Sequence, residues 1–89
     1  PAPVRMTPWK AGALRVLALL KLHGRVTTKD IAAQGISPSM WTQGWLVRAP
    51  ERGFWLACDK TPWRLGEQHP TEFAVALAAM NQSLETANG

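Results

Sequence analysis

Three side chains in this chain of 89 residues have the chemistry of a nucleophile, a general base or a soft metal ligand at neutral pH: Cys58, His23 and His69. Nucleophilic catalysis needs a thiol or hydroxyl held within hydrogen-bond reach of a base that a third group orients. Cys58 is followed by Asp59, but His23 reads as a helix end and His69 as part of a loop. No spacing brings thiol and imidazole together, and Cys58 reads as a buried or bystander thiol. Nor do the three residues show the close pairing in sequence that zinc ligands adopt. No Gly-X-Gly occurs, so a glycine-rich phosphate loop is absent. The six acids, Asp30, Glu51, Asp59, Glu67, Glu72 and Glu85, are scattered rather than convergent. The expectation is a protein that is not an enzyme, with no cofactor and no metal site.

The charges are more informative than the catalytic inventory. All ten Lys and Arg lie within residues 1–64, against three acids there, a net +7. Residues 65–89 hold the other three acids and no base, a net −3, and the two parts give the overall +4. A basic body with an acidic C-terminal segment suits a polyanionic partner on one side of the molecule; the plainer reading is a scattered, solvated surface. Apolar residues make up 46% of the chain, enough for one compact core. No apolar run reaches the roughly 18–20 residues of a membrane span, and the start lacks the apolar stretch and cleavage site of a signal peptide. A lone cysteine forms no internal disulfide, which fits a reducing cytoplasm. A soluble, cytoplasmic protein is expected.

The elements that must position these residues follow from start and stop signals. Residues 1–7, with two prolines and no periodicity, read as an extended arm. Thr7 can cap a helix that opens with Pro8, where a missing N–H costs nothing. Trp9, Ala13, Val16, Leu17 and Leu20 then recur at spacings of 3 and 4 along one face, and Gly24 supplies a left-handed stop after His23. After the spacer Arg25-Val26, Thr27 or Thr28 caps a second helix with Asp30 in its first turn, and Gly35 ends it. Ile31 and Ile36 face the core. Ser37-Pro38 repeats the start signal for a third helix carrying Met40, Trp41, Gly44 and Trp45.

Beyond Trp45 the pattern changes. Residues 46–49 and 54–57 are short, rich in β-formers and joined by Pro50-Glu51-Arg52-Gly53, a hairpin by composition. Trp63-Arg64-Leu65 either adds a short third strand or covers the core. Pro70 opens a C-terminal helix to Leu84, in which Phe73, Leu77, Met80 and Leu84 form one apolar stripe, and residues 85–89 read as a flexible tail. The fold class is mainly α with a small β-hairpin.

Over residues 9–57, and most of all in Ile31-Ala32-Ala33-Gln34-Gly35-Ile36-Ser37 and the hairpin 46–56, this pattern resembles the winged helix-turn-helix superfamily of bacterial and phage DNA-binding proteins. The resemblance implies a winged domain over residues 8–65, three helices plus a wing, with residues 70–84 as an additional C-terminal helix. In that superfamily the third helix lies in the major groove. The residues that would then face base edges are Ser37, Ser39, Thr42 and Gln43, Gln43 being suited to a bidentate contact with adenine. Arg48 and the wing-tip Arg52 would reach phosphate or the minor groove, and Thr28 and Lys29 a phosphate beside the second helix. Lys10, Arg25 and Lys60 would add phosphate contacts. The implied function is sequence-specific binding of double-stranded DNA, as a transcriptional regulator or as the DNA-reading domain of a replication, partition or mobile-element protein.

Two readings stand beside this one. The third helix carries no Lys or Arg between Ser37 and Val47, and the chain has five tryptophans; a protein-interaction module with an exposed tryptophan-rich surface is the alternative function. Trp41 and Trp45, four apart, suit core packing, and otherwise stacking or partner binding. The stripe Phe73, Leu77, Met80 and Leu84 either packs on the first helix of the same chain or pairs two chains into a homodimer matching two DNA half-sites.

Overall fold

The computed structural model describes the backbone of residues 5–88 and the side chains of residues 5–82. The chain is mainly helical with one two-stranded antiparallel hairpin. Helix α1 spans Pro8–His23, opened by Thr7, whose hydroxyl accepts from the Lys10 backbone N–H at 3.1 Å. It ends where Gly24, at φ 78°, donates its N–H to the Leu20 carbonyl. These are the bounds that the capping signals predict. Helix α2, Thr28–Ala33, is capped by Thr27. The Thr27 hydroxyl accepts from the Asp30 N–H at 3.0 Å, and the Asp30 carboxylate accepts from the Thr27 N–H at 2.9 Å. Two donors without helical partners are satisfied reciprocally, which lets so short a helix start at a fixed residue. Gly35, at φ 79°, then turns the chain toward Ile36.

Helix α1 is the centre of the molecule. Ala13, Leu14, Val16, Leu17, Ala18 and Leu20 are all buried, wider than the single stripe read from the sequence. One side meets the turn after α2, so closely that a Cβ on Gly12 would lie 2.8 Å from the Gln34 carbonyl oxygen and from Ile36 Cγ2. Arg15 fixes the same crossing, donating from Nε to the Gln34 side chain at 2.8 Å and from Nη2 to the Gln34 carbonyl at 3.2 Å. Ile31, Ile36, Trp41, Val26 and Leu46 complete the core from the other elements.

The hairpin pairs β1, Leu46–Arg48, with β2, Trp55–Ala57, in the register Leu46 to Ala57, Val47 to Leu56 and Arg48 to Trp55. The loop closes at Ala49 and Phe54, joined by an N–H to O bond of 3.0 Å. A third row is present, but it is not Trp63-Arg64-Leu65. Val26, expected as part of a spacer, exchanges both backbone hydrogen bonds with Trp55, at 3.0 and 2.8 Å, and is fully buried. Trp63 instead leads into a short helix, α3, Arg64–Gln68.

Helix α4, Pro70–Asn88, runs beyond the expected end at Leu84. It lies along α1, and Phe73, Leu77 and Met80 are half-buried against the core. Phe73 sits on Gly66 of α3, where a Cβ would come within 2.8 Å of its ring. Phe73, Leu77 and Met80 of the stripe thus lie against the core of their own chain; the Leu84 side chain lies outside the described residues. No helix among the described residues is long and apolar enough to cross a membrane.

Candidate nucleic-acid interface

The segment expected as a third helix departs from a regular α-helix. Ser37 opens it, its hydroxyl accepting from the Ser39 N–H at 3.4 Å. Residues 39–40 are α-helical, and Trp41–Trp45 form a π-helical turn that passes directly into β1 at Leu46. Three features favour the wider turn. Gly44 is a poor helix former. The Thr42 hydroxyl bonds back to the Pro38 and Ser39 carbonyls at 3.3 and 3.4 Å, a contact that bends helices. Trp45 is wedged between two rings, with centroids 5.1 Å from Trp41 and 5.9 Å from Trp9, both edge-on.

The end of this turn is held by residues far along the chain. Carbonyls in a final helical turn have no helical donor and must find one elsewhere. The Thr61 hydroxyl, buried, donates to the Trp45 carbonyl at 2.7 Å and accepts from the Cys58 N–H at 2.8 Å. The Cys58 thiol adds a weaker contact to the same carbonyl at 3.4 Å. The turn leaving β2 therefore clamps the exit of the π-helical turn, and Cys58 is part of that clamp. His23 is exposed at the end of α1, His69 is buried after α3, and neither is hydrogen-bonded to the thiol. Among the described residues no group of three or more His, Cys, Asp or Glu gathers into a possible metal site.

Exposure divides the π-helical segment cleanly. Trp41 and Leu46 are buried and Trp45 half-buried, while Ser37, Ser39, Met40, Gln43, Gly44 and Val47 face solvent. Of the four residues expected at base edges, Ser37, Ser39 and Gln43 are exposed together. Thr42 is half-buried, and its hydroxyl is engaged with the backbone. Met40 and Val47 are 53% and 48% exposed, among the few large apolar side chains so placed. Their exposure has no signal in the sequence and follows from the path of the chain around the π turn.

The hairpin continues this surface. Arg48 and Arg52 line a groove of about 550 Å³ together with Phe54 and Trp55, and the Arg48 guanidinium lies 5.5 Å from the Trp55 ring. Arg52 is exposed beside Gly53, whose φ of 88° forms the tip. Arg25 is engaged within the chain. Its guanidinium lies 3.9 Å over the Phe54 ring and pairs with the Glu51 carboxylate, bracing the hairpin loop from outside the hairpin. Lys10 is half-buried and donates to the Arg5 carbonyl at 3.0 Å. Thr28, Lys29 and Lys60 are exposed.

None of the five tryptophans stands out into solvent: Trp41 is fully buried and the other four are half-buried against the core. Comparison of the chain with protein-family models, with curated proteins and with solved structures gives no match.

Proposed function

We propose that this chain is a DNA-binding module of winged helix-turn-helix architecture, with the segment of residues 37–45 in the major groove and the hairpin as the wing. One observation carries the reading. An exposed, uncharged helical turn passes without a linker into a hairpin bearing Arg48 and Arg52. Base edges in a groove are read by neutral polar and apolar groups as well as by charged ones, whereas affinity for the phosphates comes chiefly from cations. The sequence has that pattern: no charged residue lies between Asp30 and Arg48, with Lys29 before the neutral stretch and Arg48 at its end. The bridge between Val26 and Trp55 further supports the architecture, because it ties the hairpin to the segment joining α1 and α2.

In this reading Ser37, Ser39 and Gln43 contact bases, and Lys29, Arg48, Arg52 and Lys60 supply phosphate contacts. Arg25 positions the wing through Phe54 and Glu51. The biological setting that fits is a regulator of transcription or the DNA-reading part of a replication, partition or mobile-element protein. Equilibrium titration of a fluorescent random-sequence duplex tests the proposal. Binding at low salt that weakens when Arg48 and Arg52 are both changed to Ala supports it, and absence of binding at low salt defeats it.

The protein-interaction reading loses its tryptophan surface but gains Met40 and Val47, which also suit an apolar partner. Failure to bind any duplex would favour it.

A further inference from the structure

Two large apolar side chains, Met40 and Val47, are exposed on and just after the segment proposed to face bases. Burial through residues 39–48 alternates with a period of four to five: 39–40 out, 41 in, 43–44 out, 46 in, 47–48 out. The exposed residues are Ser39, Met40, Gln43, Gly44, Val47 and Arg48, of which Val47 and Arg48, adjacent in β1, leave opposite faces of the hairpin. Exposing Met40 and Val47 opposes folding, since each would be favoured in the core. At Gly44 a Cβ would meet no atom of the chain within 4 Å, so packing against other parts of the protein does not require glycine there, and the bare backbone is open to close approach by a partner.

Each base pair shows its own pattern in the major groove. Guanine offers two acceptors, matched by Arg or Lys, and cytosine offers a donor, matched by a carboxylate. The exposed residues up to Val47 include none of these side chains. Adenine offers an acceptor and a donor, matched by an amide, and thymine a methyl group, matched by an apolar side chain. Gln43 is the amide, and Met40 and Val47 are the apolar side chains.

We infer that this face reads A·T pairs in the major groove, Gln43 contacting adenine and Met40 and Val47 contacting thymine 5-methyl groups, with Gly44 leaving room for the base edges. The inference rests on the DNA-binding reading and specifies its substrate.

The test compares three labelled duplexes of equal length with the full chain at low salt: one A·T-rich, one G·C-rich, and the A·T-rich one with every thymine replaced by deoxyuridine, which pairs identically but lacks the methyl. The expected order is A·T-rich tightest, with about a fourfold loss for each contacted methyl removed. In Met40→Ala the deoxyuridine penalty shrinks by about that factor. Gly44→Ala weakens binding to the A·T-rich duplex about tenfold or more, with no fall in its thermal midpoint, since no atom of the chain opposes the new methyl. An A·T preference indifferent to deoxyuridine overturns the inference, since Met40 and Val47 then contact no thymine methyl group. Equal affinity for all three duplexes overturns it while leaving DNA binding intact. No binding to any duplex removes the DNA reading itself.

Discussion

Replacing Thr61 should distinguish most sharply between a hydroxyl clamp on the π-helical turn and hydrophobic packing alone. Thr61→Val keeps the shape of the side chain and deletes one hydroxyl, which is 2.7 Å from the Trp45 carbonyl and 2.8 Å from the Cys58 nitrogen. Thr61 is 6% exposed, so water cannot simply replace it. Leaving a buried polar group unsatisfied costs about 1–3 kcal/mol. The Trp45 carbonyl retains the weak Cys58 thiol donor at 3.4 Å and belongs at the low end of that range. The Cys58 N–H would face a methyl group and belongs higher, while the added methyl returns about 1 kcal/mol of apolar burial. The net expectation is a loss of about 2–3 kcal/mol, a large fraction of the roughly 4–13 kcal/mol typical of a domain this size. Urea unfolding followed by tryptophan fluorescence measures it directly, and the thermal midpoint should fall by roughly 10–20 °C. Thr61→Ser, which keeps the hydroxyl, should lose only about 1 kcal/mol. A valine variant within about 0.5 kcal/mol of the parent, the scatter of ordinary surface substitutions, would refute the clamp, as would a serine variant that loses as much as valine.

Gly12→Ala sets two effects against each other. Alanine gains about 1 kcal/mol of helix propensity, but its Cβ would lie 2.8 Å from the Gln34 carbonyl oxygen, an overpacking worth about 1–3 kcal/mol. A net loss of about 1 kcal/mol is expected in urea unfolding, and a stabilised variant would show that the crossing of α1 and the α2 turn has room for a methyl group. Thr27→Ala should cost about 1 kcal/mol through loss of the reciprocal cap on α2, read by the same method. Phe73→Ala should lower stability by about 2 kcal/mol, since the ring is half-buried on Gly66. Sedimentation should show its mass unchanged from the parent, and a drop from dimer to monomer would return the α4 stripe to an intermolecular role. Arg52→Ala should weaken all duplexes alike and reduce the salt slope by about one, whereas Gln43→Ala should relax sequence preference and leave the slope alone; parallel titrations at several salt concentrations separate the two.

The parts of this fold that can be read from the sequence are those fixed by local chemistry. Thr7-Pro8 and Gly24 bound α1 because caps act on the nearest backbone groups. Pro50 to Gly53 announces the hairpin for the same reason. The π-helical turn is not legible, because its exit depends on a hydroxyl 16 residues later, at Thr61. Val26 carries no signal either, since one buried residue between Arg25 and Thr27 has no period. Helix α3 is five residues with mixed polarity, too short for a pattern to show. The stripe of α4 is visible, but an apolar stripe has the same spacing whether it packs on its own chain or on another. For the candidate interface, the polar residues of 37–43 can be named from the resemblance. Met40 and Val47 cannot, because exposure is a property of the folded chain. Arg25 looks like any surface cation until Phe54 and Glu51 are placed beside it.

Affinity for duplex DNA as a function of salt is the decisive measurement for a DNA-binding role. Lys29, Arg48, Arg52 and Lys60 are exposed, and if each neutralises one phosphate, log K falls with log salt at a slope between about −3 and −4. Affinity should then drop roughly a hundredfold between about 50 and 200 mM salt. No measurable binding at the lower concentration, or an affinity that salt does not change, would contradict a phosphate-contacting surface built on these four cations.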